Sequence, residues 1–162
     1  MTTCRFDDHA IQWNRFGEFV PAFHYTILDL DETSRIADVL FKLPANEQIV
    51  LHRHRALNHT FVVQGEHRLY ETDGSLREAR PTGSYTVSPA SEAPHREGGG
   101  AQDAIVFFSI RPGQGEVLYE LLDDQCNLLG TVTFEMLVAL YQAQKASAPA
   151  REDACLQALD QA

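Results

Sequence analysis

The sequence lacks three kinds of feature that would assign it to a large class of proteins. It has no Lys/Arg-rich run and a net charge of −10, so we expect neither nucleic acid nor an anionic membrane surface as a partner. No apolar run approaches the roughly 20 residues that span a bilayer. Residues 1–13 show neither the basic nor the apolar segment of a secretory signal. We therefore expect a cytoplasmic protein with no membrane association.

Cysteine is also scarce. Cys4, Cys126 and Cys155 are scattered and show no CxxC spacing, so the sequence predicts no disulfide framework and no zinc-binding cysteine cluster. Such an odd, scattered set is typical of a reduced, cytoplasmic setting, and none of the three cysteines lies in a catalytic pattern.

The composition of the chain is that of an ordinary globular domain. It has 162 residues, of which 44% are hydrophobic and 22% charged, which fits one domain with a sizeable core. Short stretches rich in β-branched and aromatic residues alternate with Pro, Gly, Asn and Asp turn signals, and this pattern predicts an antiparallel sandwich or barrel. The predicted strands are 24–30, 35–42, 48–54, 58–64, 67–71, 83–88, 104–110 and 116–122.

The C-terminal part changes from strand to helix spacing. Met136, Leu137 and Leu140 recur at helical intervals after residue 133, with Thr131 or Thr133 as the N-cap, and we expect this helix to end near residue 145. We therefore predict one domain over residues 1–146, including the helix. Residues 147–162 would form a tail that is either a short helix or disordered.

Two histidines suggest a metal site. His52 and His54 are two residues apart in a predicted strand, so both imidazoles point to the same face. Imidazole is a ligand for Fe, Zn, Cu and Ni. The pair alone is a weak signal, because nearby histidines are often no more than strand residues that happen to be polar.

The surrounding residues resemble the two sequence motifs of the cupin family. The first motif, G(x)5HxH(x)3–4E(x)6G, and the second, G(x)5PxG(x)2H(x)3N, fall on residues 46–95. The matching positions are His52, His54, Gly65, Gly83, Pro89 and His95. The resemblance implies an all-β, single-domain cupin fold, a double-stranded β-helix or jelly-roll barrel, and it implies that His52, His54 and His95 bind a metal ion.

Several motif positions differ from the family pattern. Asn46 replaces the first Gly, where Asn tolerates a left-handed backbone, Ser91 replaces the Gly of the second motif, and the closing Asn is absent. The motif glutamate is also missing, and its place falls on Asn58 or His59. We therefore expect a carboxylate-free site with three His ligands, or with four if His59 points inward. His59 would otherwise be a partner of a ligand or a pocket residue.

A site without a carboxylate has consequences for its chemistry. A divalent ion held by neutral imidazoles keeps its full charge and favours an anionic chelating substrate, such as an enolate or a diketonate. With Fe(II), chelation leaves a position for O2, whereas Zn would act only as a Lewis acid or bind a carboxylate. The residues themselves do not distinguish these metals, and Zn or Ni could be present as purified.

A narrower resemblance favours iron. The runs at 52–65 and 67–71 and the tail at 117–142 resemble the cupin branch that contains 2,4'-dihydroxyacetophenone dioxygenase and acetylacetone-cleaving dioxygenase. This resemblance implies a non-haem Fe(II) dioxygenase that cleaves a C–C bond in a small ketone, a hydroxyacetophenone or a β-diketone. The expected partners are an anionic enol or aromatic ketone, O2, and a second copy of the chain, because cupins commonly form homodimers. The alternatives are a non-catalytic zinc- or ligand-binding cupin that acts as a sensor, and a metal-free scaffold.

Four further residues are candidates for the site. Alternation along residues 67–71 would bring Glu71 toward the metal as a ligand or base, although a strand-end glutamate in solvent is the simpler interpretation. Phe61, Tyr85 and Phe107 could line an apolar substrate pocket, although aromatic residues in a small barrel often belong to the core.

Overall fold

Strands dominate the described part of the chain, and one helix follows them there. The computed structural model describes residues 6–148. In chain order the elements are β1 (Asn14–Arg15), β2 (His24–Asp31), β3 (Ile36–Leu43), β4 (His52–His54), β5 (Leu57–Gln64), β6 (Glu66–Tyr70), β7 (Leu76–Pro81), β8 (Tyr85–Ser88), β9 (Arg96–Gly99), β10 (Ala104–Arg111), β11 (Val117–Leu122), β12 (Leu128–Thr133) and α1 (Phe134–Ser147).

The strands form one large sheet and two small ones. The large sheet has the order β1-β2-β3-β10-β5-β8, and the small sheets have the orders β12-β11-β4 and β7-β6-β9. An antiparallel bridge between His52 and His95 connects the two small sheets. Phe108 on β10 packs its ring against His54 and His67, one from each small sheet, so the small sheets together face the large one across the interior of a barrel.

The predicted all-β architecture with a C-terminal helix is confirmed. Thr133 caps α1, and its hydroxyl accepts a hydrogen bond from the backbone N–H of Met136 at 3.1 Å. Gln144 fastens the helix to β2, because its side-chain amide exchanges two hydrogen bonds with the backbone of Ile27, at 2.8 and 2.9 Å. The predicted tail lies outside the described residues from 149 onward.

Four strands, β1, β7, β9 and β12, are absent from the sequence prediction, and the three longer ones share a reason. β7 carries three charged residues and is largely exposed, β9 has the sequence REGG, and β12 contains a glycine. Charged residues and glycine are depleted in strands, so pairing with neighbours formed these strands where local preference did not.

No helix within residues 6–148 is long and apolar enough to cross a lipid bilayer.

Alternation along β5 decides which side chains face the barrel interior. Asn58, Thr60 and Val62 are buried, whereas His59 is partly exposed and Phe61 is 41% exposed. The interior is filled by apolar side chains from both walls, among them Val39, Val106, Phe108, Ile110 and Leu118. Asn46 has a φ of +56°, as expected for an asparagine in the place of the motif glycine.

β9 lies against the chain segment that precedes β4. The backbone N–H of Ile49 donates to the carbonyl oxygen of Glu97 at 2.8 Å. A Cβ at Gly98 would lie 1.9 Å from the carbonyl oxygen of Glu47, which is backbone and cannot rotate away. Glycine at position 98 therefore permits the close approach that holds β9 in place.

We expect Gly98→Ala to destabilise the fold by about 1–3 kcal/mol or more, because the added methyl forces the two backbones apart. Chemical denaturation of the purified variant measures the free energy of unfolding. Gly130→Ala is the matched control, since a Cβ there meets no atom of the described chain within 4 Å. Equal stability of the two variants would contradict this account of β9.

Candidate metal centre

Three histidines and one glutamate meet inside the barrel. His52 and His54 come from β4, His95 directly precedes β9, and Glu97 lies within β9. One ligand atom from each residue lies within 4.8 Å of the others, and all four residues are buried. This group could hold a metal ion.

The strand register explains why these four side chains converge. His52 and His95 form a backbone pair in which each N–H donates to the carbonyl oxygen of the other residue, at 3.0 and 2.9 Å. Because side chains alternate along a strand, His54 shares the face of His52, and Glu97 shares the face of His95. Two i, i+2 pairs on neighbouring strands thus point to one place.

The Glu97 carboxylate lies among four imidazoles. Its Oε1 is 3.3 Å from Nε2 of His95, 3.5 Å from Nε2 of His67 and 3.7 Å from Nε2 of His54. Its Oε2 is 3.8 Å from Nε2 of His52. The imidazole nitrogens thus surround both carboxylate oxygens, and they face a negative charge that a cation would balance.

The pKa values of these groups favour metal binding. Burial, helped by the neighbouring His95, lowers the pKa of His52 to about 4, and burial also holds the pKa of His54 well below its ordinary value. Burial alone would raise the pKa of Glu97, but the surrounding imidazoles, His67 foremost, outweigh it and hold that pKa well below its usual range. Near neutral pH, His52 and His54 are therefore neutral and Glu97 is ionised, which is the state that a metal ion requires.

The orientation of the imidazole rings also suits a metal ion. Nδ1 of His52 lies 2.8 Å from the carbonyl oxygen of Val50 and donates to it, so Nε2 keeps a free lone pair. Nε2 of His54 is buried and has no hydrogen-bond partner among the described residues. A lone pair or N–H left unmatched in this way is costly in a dry interior, and a bound metal would remove that cost.

Asn58 supports the ring of His54 from behind. Its side-chain nitrogen lies 3.1 Å from Nδ1 of His54, and its oxygen accepts a hydrogen bond from the Tyr119 hydroxyl at 3.0 Å. A metal on Nε2 leaves the proton on Nδ1, so metal binding requires Asn58 to turn its amide oxygen toward that ring and to give up the 3.0 Å hydrogen bond that its nitrogen donates to the carbonyl oxygen of Ala56. The hydroxyl of Tyr119 can accept from the amide nitrogen after that rotation.

Of the alternatives for His59, the inward-pointing fourth ligand is wrong. Asn58 is fully buried at the place of the motif glutamate, so the neighbouring His59 faces the outside of β5. Its Nδ1 lies 2.6 Å from the Tyr85 hydroxyl on β8. Sequence alternation had correctly grouped His59 with Phe61 on one face of the strand, but it could not tell which face the barrel encloses.

The expectation of a carboxylate-free site is wrong as well, because Glu97 supplies the carboxylate from β9. The motif places its glutamate on β5, and Glu71 was the other carboxylate predicted near the metal. A signal was present in His95-Arg96-Glu97, which has the same i, i+2 spacing as His52 and His54. His67 was not predicted as a site residue, and it lies buried on the same face of β6 as Leu69.

Glu71 does not reach the metal centre. It lies in the turn after β6, where its two carboxylate oxygens accept hydrogen bonds from Nε and Nη2 of Arg77 at 2.7 and 2.8 Å. The side chain is about half exposed, so the interpretation as a strand-end glutamate in solvent is confirmed.

The predicted pocket residues Phe61, Tyr85 and Phe107 do not face the barrel interior. Phe107 pairs with Phe61 across β10 and β5, and Phe61 pairs with Tyr85 across β5 and β8. Phe61 and Tyr85 are 41% and 60% exposed, so this row lies on the outer face of the large sheet. Phe108, next to Phe107 in the chain, faces the interior and contacts the ring of His54.

Two cavities border the metal centre. A small cavity of about 40 Å³ has apolar walls that include Phe23, Phe41 and Phe108, and it reaches His52 and Glu97. A larger cavity of about 290 Å³ reaches His54, His95 and Glu97 and also has polar walls, formed in part by Thr60 and Arg80. The larger cavity has room for a small organic ligand next to the candidate ligands.

We expect His54→Ala to lower metal affinity by more than about 100-fold, because even the loss of a residue that supports a ligand typically costs 10- to 100-fold. His59→Ala is the matched control and should bind metal like the unaltered protein, since its ring lies outside the barrel. Equilibrium dialysis against Ni(II) with elemental analysis measures both. Equal loss in the two variants would contradict the assignment of the site.

We also expect Glu97→Gln to lower metal affinity at least about 10-fold, because the amide keeps the size of the side chain and removes its negative charge. Glu71→Gln removes the same charge outside the site and should leave affinity unchanged. The same dialysis measurement compares them. Unchanged binding by Glu97→Gln would show that the three histidines suffice.

The fold is shared with solved cupin structures. An RmlC-like cupin from Ralstonia eutropha JMP134 is 20% identical, with 86% of this chain and 85% of that chain covered and a TM-score of 0.67. An acetylacetone dioxygenase from Acinetobacter johnsonii is 14% identical, with 88% and 99% covered and a TM-score of 0.56. A protein from Methylibium petroleiphilum PM1, provisionally named an acetylacetone dioxygenase, is 14% identical, with 87% and 99% covered and a TM-score of 0.60.

Searches with the sequence add nothing to this likeness. No protein-family model matches the chain, and no curated protein matches it. Identities this low show a shared fold and leave the activity open. The chain has the cupin fold, with a buried group of three histidines and a glutamate that could bind a metal ion.

Proposed function

We propose that this protein is a metal-dependent dioxygenase, with non-haem Fe(II) as its metal, that cleaves a C–C bond in a small ketone, a hydroxyacetophenone or a β-diketone. The observation that carries the proposal is the buried group of His52, His54, His95 and Glu97 beside a cavity of about 290 Å³. A site that only stabilised the fold would not need such a cavity.

The set of donor atoms supports iron. Imidazole nitrogens combined with a carboxylate oxygen are the ligands of many non-haem Fe(II) oxygenases, which keep open positions for substrate and O2. When bound, Fe(II) would supply the site for the substrate anion and the electrons that activate O2. The same donors also bind Zn, which has no redox chemistry, so the donor set alone does not select the metal.

Glu97 gives the site a base as well as a ligand. A ketone must lose a proton from the carbon next to its carbonyl to become an enolate. The Glu97 carboxylate faces the cavity, and its Oε1 lies 3.5 Å from Nε2 of His67, so it is the carboxylate within the metal centre that can take that proton. This role for Glu97 replaces the one that was first considered for Glu71.

The comparisons support the proposal without deciding it. Two of the structures that share this fold are named acetylacetone dioxygenases, one of them provisionally. Both are covered over almost their whole length, so the likeness in fold extends over nearly all of each of those proteins.

The test is O2 uptake by protein loaded anaerobically with Fe(II). We expect one O2 to be consumed per substrate molecule with a β-diketone or a hydroxyacetophenone, and no uptake by His54→Ala. His59→Ala should keep the activity of the unaltered protein. These results depend on the metal centre and not on the outer face of the sheet.

One result would contradict the proposal, and another would favour the non-catalytic alternative. Protein that holds one Fe(II) per chain and consumes no O2 with any enolisable ketone would contradict the proposal. One firmly bound Zn per chain, with ligand binding and no turnover, would instead favour a non-catalytic zinc- or ligand-binding cupin. The expected homodimer stays a prediction.

A further inference from the structure

The larger cavity has a second polar group besides the metal centre. Arg80 lies on β7, opposite His67 on β6, and Leu69 on β6 lies between Glu78 on β7 and Glu97 on β9. Arg80 and Glu97 therefore face the same cavity from the two outer strands of one small sheet. These strands are two strand spacings apart, about 10 Å, so a ligand of a few atoms could span from one group to the other.

The guanidinium of Arg80 is buried and incompletely matched. Its side chain is 11% exposed, and Nε has no hydrogen-bond partner within residues 6–148. Nη1 donates to the Thr86 hydroxyl at 3.1 Å, and Nη2 donates to Glu78 at 2.9 Å. Because the Glu78 side chain is 46% exposed, solvent weakens this pair, and the positive charge of Arg80 is only partly balanced.

A pair of hydroxyl groups extends this polar surface. The hydroxyl oxygens of Thr60 and Thr86 are 2.6 Å apart, and Thr60 lies buried on the inner face of β5. Thr60 and Arg80 both line the cavity. Hydroxyl groups and a guanidinium together provide several N–H and O–H donors, which is the complement of a carboxylate.

Arg77, on the same strand, differs from Arg80 because a neighbouring carboxylate pairs with it through both of its oxygens. Its Nε and Nη2 donate to both oxygens of Glu71, at 2.7 and 2.8 Å, near the cavity mouth. Arg77 therefore has its anion within the chain. Arg80, which lies deeper, has a free N–H and no second carboxylate.

We propose that Arg80, together with Thr60, binds a carboxylate group of the substrate, whose enolisable carbonyl end lies at the metal centre. The hydroxyl of Thr86 holds these two side chains together, because it accepts from Nη1 of Arg80 and lies 2.6 Å from the hydroxyl of Thr60. This inference rests on the proposed function and narrows its substrate class from neutral diketones to keto acids, in which a carboxylate accompanies the ketone. Glu78, the carboxylate that pairs with Arg80 at 2.9 Å, is about half exposed, and a substrate carboxylate would supply a second anionic partner inside the cavity. Arg80 is thus a specificity-determining residue of the site.

The experiment compares one acid with its neutral counterpart. The probes are 2,4-dioxopentanoate and its methyl ester, which share the diketone and differ in one negative charge. Isothermal titration of protein loaded with Ni(II) measures binding without turnover. We expect the acid to bind about 10- to 100-fold more tightly than the ester, which is the range for hydrogen bonds to a charged group.

Four variants separate direct contact from general electrostatics. Arg80→Gln should remove the preference for the acid, and Arg80→Lys should keep part of it. Arg77→Gln removes the same charge from the cavity mouth and should change the preference by less than about 3-fold. Glu78→Gln frees Nη2 of Arg80 and should tighten binding of the acid by up to about 5-fold. Thermal unfolding and Ni(II) content confirm that each variant is folded and loaded.

Two outcomes would overturn the inference. One is equal binding of acid and ester by the unaltered protein, and the other is the same loss in Arg77→Gln as in Arg80→Gln. The proposed activity fails independently of this test. If the acid binds through Arg80 but no O2 is consumed on Fe(II), the carboxylate subsite is supported and the dioxygenase activity is not. If O2 is consumed with neutral diketones and the acid is not preferred, the dioxygenase activity is supported and the subsite is not.

Discussion

The interior of this barrel depends on one buried carboxylate. Glu97 is 5% exposed, and moving a carboxylate out of water costs several kcal/mol unless nearby groups compensate. Here four imidazoles surround the carboxylate. The backbone on either side of Glu97 is fixed, because Gly98 lets the segment at residues 47–49 lie directly against β9. The position of the Glu97 carboxylate among the imidazoles thus depends on this backbone contact.

Much of the site follows from the sequence, since a strand repeats every two residues. His52 and His54 share a face for that reason, and the cupin motif brings His95 to them from the other small sheet. The same period also links His95 to Glu97. The cupin motif instead places its carboxylate at the position that Asn58 occupies. The two-residue period of the strand therefore indicates Glu97, whereas the motif does not.

What periodicity cannot supply is the direction of the interior. The residues His59, Phe61 and Phe107 do share one face, as alternation requires, but the barrel encloses the opposite face. Both faces of β5 and β10 carry apolar or aromatic residues, so hydrophobicity does not distinguish them. Strands such as β7 and β9 are equally hard to foresee, because their pairing is decided by neighbours far along the chain. The Arg and Glu residues that line the larger cavity all lie on these two strands: Arg77, Glu78 and Arg80 on β7, and Glu97 on β9.

The bridge between His52 and His95 has a mechanical meaning for the barrel. It lies at the seam between the two small sheets, and each sheet contributes two of the four candidate ligands. An ion bound there would therefore link the two small sheets, which together form one wall of the barrel. Loading of the metal and closure of the barrel would then be coupled, since the ion favours the state in which both sheets are in register. An ion at this seam would serve the architecture of the protein as well as its chemistry.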